Sequence, residues 1–177
     1  MSLKTLFDKI ESLTAFSGKV AAWIVVTLAA SMLWEVVSRY VFSKPTTWSY
    51  EIAYMQMGAL FVLGIAYTMQ QDAHVRVDLF YNGYSTKGKA LVNVLGLLLL
   101  LPMVGWLCFG LWHYLENAWQ SGERSGESIW NPHVWPARAS FFIGFVLFAL
   151  QTLSEIYKSV KVINSRDSDP AVTQLSD

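Results

Sequence analysis

The sequence predicts an all-α membrane protein: four transmembrane helices preceded by an amphipathic helix lying in the membrane interface. Three observations point there. Of the 177 residues, 54% are hydrophobic and only 15% charged, whereas about a quarter are charged in ordinary soluble domains. The apolar residues are gathered into four runs, each long enough to cross a hydrocarbon core of roughly 30 Å at about 1.5 Å per helical residue. Basic residues and tryptophans collect at opposite ends of those runs, as they do on helices embedded in a bilayer.

Leu3, Leu6, Phe7, Ile10 and Leu13 recur at steps of three and four, with Lys4, Asp8, Lys9 and Glu11 on the other side. That pattern predicts a helix lying in the interface before the chain turns inward, although the same residues could simply extend the first span into water. A signal peptide does not fit, because its leading region would run 19 residues and contain Asp8 and Glu11. The first span, about residues 18–37, carries no charge from Val20 to Trp34; the second, about 48–69, carries none from Ile52 to Gln71. The third, about 90–114, is uncharged throughout. The fourth, about 136–156, has a shorter uncharged stretch from Ala139 to Ser154, with Arg138 and Lys158 placed to snorkel toward the two interfaces. Residues 1–163 thus form a single transmembrane domain. The polar stretch 164–177, with Pro170, is expected to be a flexible tail.

Nine of the thirteen basic residues fall in the N-terminal segment, the middle loop and the tail: Lys4, Lys9, Lys19, Arg76, Lys87, Lys89, Lys158, Lys161 and Arg166. Since cytoplasmic segments carry the excess of Lys and Arg, both termini are expected in the cytoplasm. Trp34, Trp48, Trp112, Trp119, Trp130 and Trp135 all fall on the side of the first and third loops. Indoles favour the headgroup level, so these six are read as anchors at the outer interface.

Several functional classes are excluded by what is missing. A formal net charge of zero gives no overall pull toward nucleic acid. The single cysteine, Cys108, supplies neither a disulfide nor a redox pair. Of three histidines, only His113 lies near a span, so a bis-histidine haem has no second ligand within the bundle. In the middle loop, Asp72, His74 and Asp78 alternate on one side of an extended strip, but Arg76 shares that side and argues against a metal. No cofactor and no catalytic residue is expected. The parts of a transport site, a central acid or paired broken helices within an inverted repeat, are not found either.

The candidate sites are therefore polar contacts. Glu35 and Arg39 share a helix face near the outer end of the first span, as a local pair holding the helix end or docking to a neighbour; a proton-coupling acid would belong at mid-helix. Glu51 falls in the first turn of the second span, where a carboxylate is favoured by the positive helix terminus, or where it could meet a partner subunit. Glu155 and Lys158 are three apart and expected to pair. Pro102, with Gly96, Gly105 and Gly110, is expected to weaken or kink the third helix. Thr27 with Ser31, and Ser140 with Gly144, offer faces for close packing.

The run Arg39-Tyr40-Val41-Phe42, then Pro45, then Trp48-Ser49-Tyr50-Glu51, resembles the small membrane subunit of tripartite ATP-independent periplasmic (TRAP) transporters. The likeness continues through Gly58, Gly64 and Ala66 to His74-Val75-Arg76-Val77-Asp78, and more loosely from Ser128 to Pro136. Many members carry two acids after the tryptophan; here Tyr50 precedes Glu51, so a role needing both carboxylates does not carry over. The resemblance implies a scaffold subunit in a bacterial inner membrane, surrounded by membrane lipids. It would pair with the large TRAP membrane subunit and work with a periplasmic substrate-binding protein in sodium-coupled import of an organic acid. Glu35, Arg39, Glu51 and Arg76 are then the expected polar contacts within the subunit or across to its partner. The alternative is a self-contained homodimeric transporter that couples protons through Glu35.

Overall fold

The computed structural model is all-helical and describes residues 3–71 and 86–164. Its helices are α1 (Leu3–Tyr40), α2 (Ser49–Gln70), α3 (Thr86–Ser121) and α4 (Trp135–Asn164). All four are long and apolar enough to cross a membrane. The sequence pattern shows why: in hydrocarbon, each backbone N–H and C=O must find its partner within the segment, and a helix achieves that locally. Large apolar side chains such as Phe61, Leu99 and Trp106 point outward, which lipid tolerates and water would not.

Helix α4 is the hub. It packs along α3 and α2 and over a shorter stretch against α1, while α1 lies along α2. Ala66 and Met69 of α2, Leu97 and Val104 of α3, and Leu147 and Phe148 of α4 form the buried apolar core. Three glycines set the closest approaches. A Cβ on Gly144 would lie 2.8 Å from the backbone carbonyl of Val62, one on Gly58 2.9 Å from the Phe141 ring, and one on Gly18 2.5 Å from the Tyr67 ring. Of the two small-residue faces noted in the sequence, Ser140 and Gly144 include one of these contacts. Such residues let helix backbones approach where lipid offers no hydrophobic drive to associate. Helix α3 is unbroken through Pro102.

The N-terminal segment is not a separate interfacial helix. It is the beginning of α1, which runs as one helix of 38 residues, about 57 Å at the helical rise and far longer than the hydrocarbon core. The reason lies in its inward face. Phe7 stacks on Tyr157 with ring centroids 4.3 Å apart, Thr14 and Ser17 are buried, and Ser17 Oγ donates to the Leu63 carbonyl at 3.3 Å. Leu6 and Leu13 of the expected apolar stripe are exposed, and Glu11, expected on the opposite side, turns toward α4. These turns pack against α2 and α4. The metal-free middle loop and the flexible tail expected from the sequence fall on residues 72–85 and 165–177, outside the described residues.

The glycine contacts yield a direct test. Gly144→Ala drives a methyl into the Val62 backbone, which cannot rotate away, and overpacking of this kind costs about 1–3 kcal/mol. Gly64 has open space around it, so Gly64→Ala gains helix propensity without a clash. Thermal unfolding of the detergent-solubilised chain is expected to give a lowered Tm for Gly144→Ala and an unchanged or raised one for Gly64→Ala.

Candidate functional site

The polar side chains gather at the two ends of the bundle. At the end that carries the α1–α2 and α3–α4 loops, two glutamates tie loops to helices. Near the end of α1, Glu35 Oε1 accepts from Arg39 Nε at 2.9 Å and from Nη2 at 2.5 Å. Its Oε2 accepts the backbone N–H of Thr46 at 2.9 Å and the Thr46 hydroxyl. The helix spacing of four residues brings the guanidinium to the carboxylate, and the turn through Ser43, with φ of 53°, returns Thr46 to the other side. Glu35 therefore does two things: it pairs with Arg39 and staples the loop that leads into α2. Beside it, Ser38 Oγ donates to the Lys44 carbonyl, and the buried Ser49 Oγ donates to the Ser31 carbonyl at 2.8 Å.

Glu51 is only 3% exposed. It lies in the first turn of α2, and the Ser128 hydroxyl, from the α3–α4 loop, donates to its Oε1. That loop is itself braced. Ser125 N donates to Pro132 O at 3.0 Å and Val134 N to Glu123 O at 3.1 Å, around an antiparallel bridge of Arg124 and His133. Gly126 N donates to Asn131 Oδ1 at 2.9 Å, with Gly122 and Gly126 at positive φ where a side chain would strain the turn. Arg138 Nη1 donates to the Tyr114 carbonyl at 3.1 Å, Nη2 pairs with Glu123 at 2.6 Å, and the guanidinium lies 3.5 Å over the Tyr114 ring.

Trp34, Trp48, Trp112, Trp119, Trp130 and Trp135 all lie toward this end. Trp119 and Trp135 meet edge to face at 4.9 Å and, with Trp112 and Ala139, line a shallow groove of about 360 Å³ between α3 and α4. Trp34, Trp112 and Trp119 are largely exposed.

At the opposite end, Lys158 Nζ lies between two carboxylates, 2.7 Å from Glu11 and 3.0 Å from Glu155. Ser154 Oγ donates to Glu11 at 3.2 Å, Gln151 Nε2 to Glu155 at 2.8 Å, and Gln70 Nε2 to the Glu11 carbonyl at 3.0 Å. Glu11 thereby joins α1 to both α2 and α4. Sequence reasoning missed it because its helix neighbours Asp8 and Lys9 suggested a solvated face; the usable signal was Gln70 and Gln151, amides set inside apolar runs. Arg76 lies outside the described residues. Among those described, no three His, Cys, Asp or Glu side chains come together as a metal site would require.

Glu35 and Glu51 both fall within the region that a family profile matches. The profile of the DctQ component of the tripartite ATP-independent periplasmic transporters matches residues 28–162. The chain belongs to that family. It is also similar, at 22% identity over 142 residues and 79% of each chain, to the sialic acid TRAP transporter small permease protein SiaQ of Vibrio cholerae. The match makes this DctQ-family chain a TRAP small permease subunit and a multi-pass protein of a bacterial inner membrane. Its matched region covers α1 from Leu28 onward, all of α2 and α3, and α4 through Val162, and so includes both glutamates that hold the loops. Glu11 precedes it.

In this DctQ-family subunit the Glu51–Ser128 bond is a charge-assisted contact out of water, a class worth roughly 1.5–3 kcal/mol. A double-mutant cycle of Glu51→Ala and Ser128→Ala, read by denaturant unfolding in detergent, is expected to return a coupling energy in that range. Additive single effects would show that the loop is held by other contacts.

Proposed function

We propose that this chain is the non-catalytic scaffold subunit of a sodium-coupled TRAP transporter that imports an organic acid. It would bind a large membrane subunit that carries the transport path and act with a periplasmic substrate-binding protein. The observation that carries this reading is the state of Glu35. Both of its oxygens are engaged by donors of the same chain: Arg39 on one, the Thr46 amide and hydroxyl on the other. A proton-coupling carboxylate must be free to gain and lose its proton as it meets solute. A carboxylate held by a guanidinium, an amide and a hydroxyl at a helix end is suited to fixing a loop instead. The same fixity suits a scaffold, against which a moving partner can travel. The related SiaQ supports an acidic solute; its named sialic acid is one candidate for the substrate class.

In this reading Glu35, Arg39 and Glu51 set the shape of the surface offered to partners, and Arg76 adds a polar contact from the middle loop. The six tryptophans at the loop end anchor it in the outer headgroup region, with both termini in the cytoplasm and the N-terminal turns of α1 near the inner interface. The lipid-facing sides hold the partner by shape and a few polar pairs.

Co-expression of the tagged chain with the large subunit is expected to yield a complex in mild detergent. The chain alone in liposomes is expected to transport no organic acid, whether or not it carries Glu35→Gln. Uptake by the isolated chain that disappears with Glu35→Gln would favour the homodimeric proton-coupled transporter. For orientation, a cysteine placed at Glu127 is expected to react with a membrane-impermeant maleimide in spheroplasts, and one at Lys161 only after lysis. The reverse pattern would invert the assigned topology.

A further inference from the structure

We propose that the junction of α1, α2 and α4 at the terminus-bearing end of the bundle binds internal water as a structural ligand. Thr14 and Gln151 are completely buried there, as are Thr152 and Ser154. Three oxygens in this region have no hydrogen-bond partner among the described residues: Thr14 Oγ1, Gln70 Oε1 and Gln151 Oε1. They come from all three helices and sit on turns stitched to one another. Thr14 lies one turn beyond Glu11. The Gln70 amide is bonded to the Glu11 carbonyl, and the Gln151 amide to Glu155.

The neighbouring donors are directed elsewhere. Ser154 Oγ and Lys158 Nζ are turned to Glu11, Lys158 also to Glu155, and one N–H of each glutamine amide to the acceptor just named. Turning over either amide would exchange an unpaired oxygen for an unpaired N–H₂, so no flip removes the deficit. Two carbonyl oxygens and a hydroxyl require a species that donates. Buried polar groups left without a partner are rare, and bound water, with about three bonds each, is the usual remedy.

The alternative donor, a monovalent cation, would sit beside the Lys158 ammonium, which already holds one oxygen of each carboxylate. Like charges at this range in a poorly screened site repel, and the deficit is of hydrogen bonds rather than of positive charge. Water is the ligand that the geometry selects. It would make the attachment of the first turns of α1 a hydrated polar seam, distinct from the dry contacts around Gly144.

Thr14→Val tests this in the whole detergent-solubilised chain. The exchange is isosteric, and the Thr14 hydroxyl makes no hydrogen bond among the described residues. With water bound, its loss removes a ligand of that water, and Tm is expected to fall by about 2–4 °C for a chain of this size. Thr14→Ser, which keeps the hydroxyl, is expected to remain above Thr14→Val. If the junction is dry, valine removes an unpaired buried hydroxyl, and an unchanged or raised Tm overturns the proposal. Wild-type Tm in sodium chloride and in choline chloride at equal ionic strength is expected to agree. A sodium-specific rise that Thr14→Val abolishes would assign the site to a cation and overturn it as well.

Discussion

Every backbone N–H and C=O that enters hydrocarbon must find its partner away from bulk water, and the rest of this structure follows from that constraint. Within the four helices the backbone meets it without side-chain help. The difficulty arises where helices stop, because the last turns and the loops between them present unpaired N–H and C=O groups close to lipid. The polar side chains of the bundle are concentrated there. Glu35 takes the Thr46 amide and Ser38 the Lys44 carbonyl, both in the α1–α2 loop. Ser49 and Arg138 add bonds to carbonyls within neighbouring helices, those of Ser31 and Tyr114. The loop-end architecture is therefore a consequence of terminating helices in a bilayer, and not an addition to it.

The four helices were legible in the sequence because length in an apolar run is a one-dimensional property, set by bilayer thickness. What each polar residue touches is three-dimensional, and there the sequence was less informative. Glu35 and Arg39 lie four apart on one helix, so their pairing follows from helical geometry; Thr46, eleven residues beyond Glu35, enters only through the path of a loop. Glu51 was read through its own helix end, while Ser128, 77 residues away, takes its carboxylate. Glu11 is the clearest case. An amphipathic pattern assumes two environments, lipid and water, and assigns a charged residue to water. Lys158 is a third environment, a counter-charge on another helix, and a helical wheel has no place for it.

Between the two polar ends, the bundle is held by shape. Gly18 receives the Tyr67 ring, Gly58 the Phe141 ring and Gly144 the Val62 backbone, so α2 is fitted against α1 on one side and α4 on the other. Helix α3 is packed extensively against α4 and leaves Leu99, Met103 and Trp106 outward. The bundle is thus unequal: α4 packs extensively against α3 and α2, while α1 is held chiefly by α2.

That inequality bears on what a TRAP small permease subunit of this construction can do. A transport site needs polar groups that are free to exchange partners as solute and ions arrive. Here the carboxylates at the loop end are engaged within the chain, and those at the other end share an ammonium. The helices between them are fitted backbone to ring or backbone to side chain, which leaves little room for sliding without loss of contact. On the scaffold reading proposed above, a body fixed at both ends and fitted through its middle would resist the internal rearrangement that alternating access demands. The same resistance is an advantage in a stationary component, because motion of a neighbouring subunit is useful only when measured against something that does not move with it.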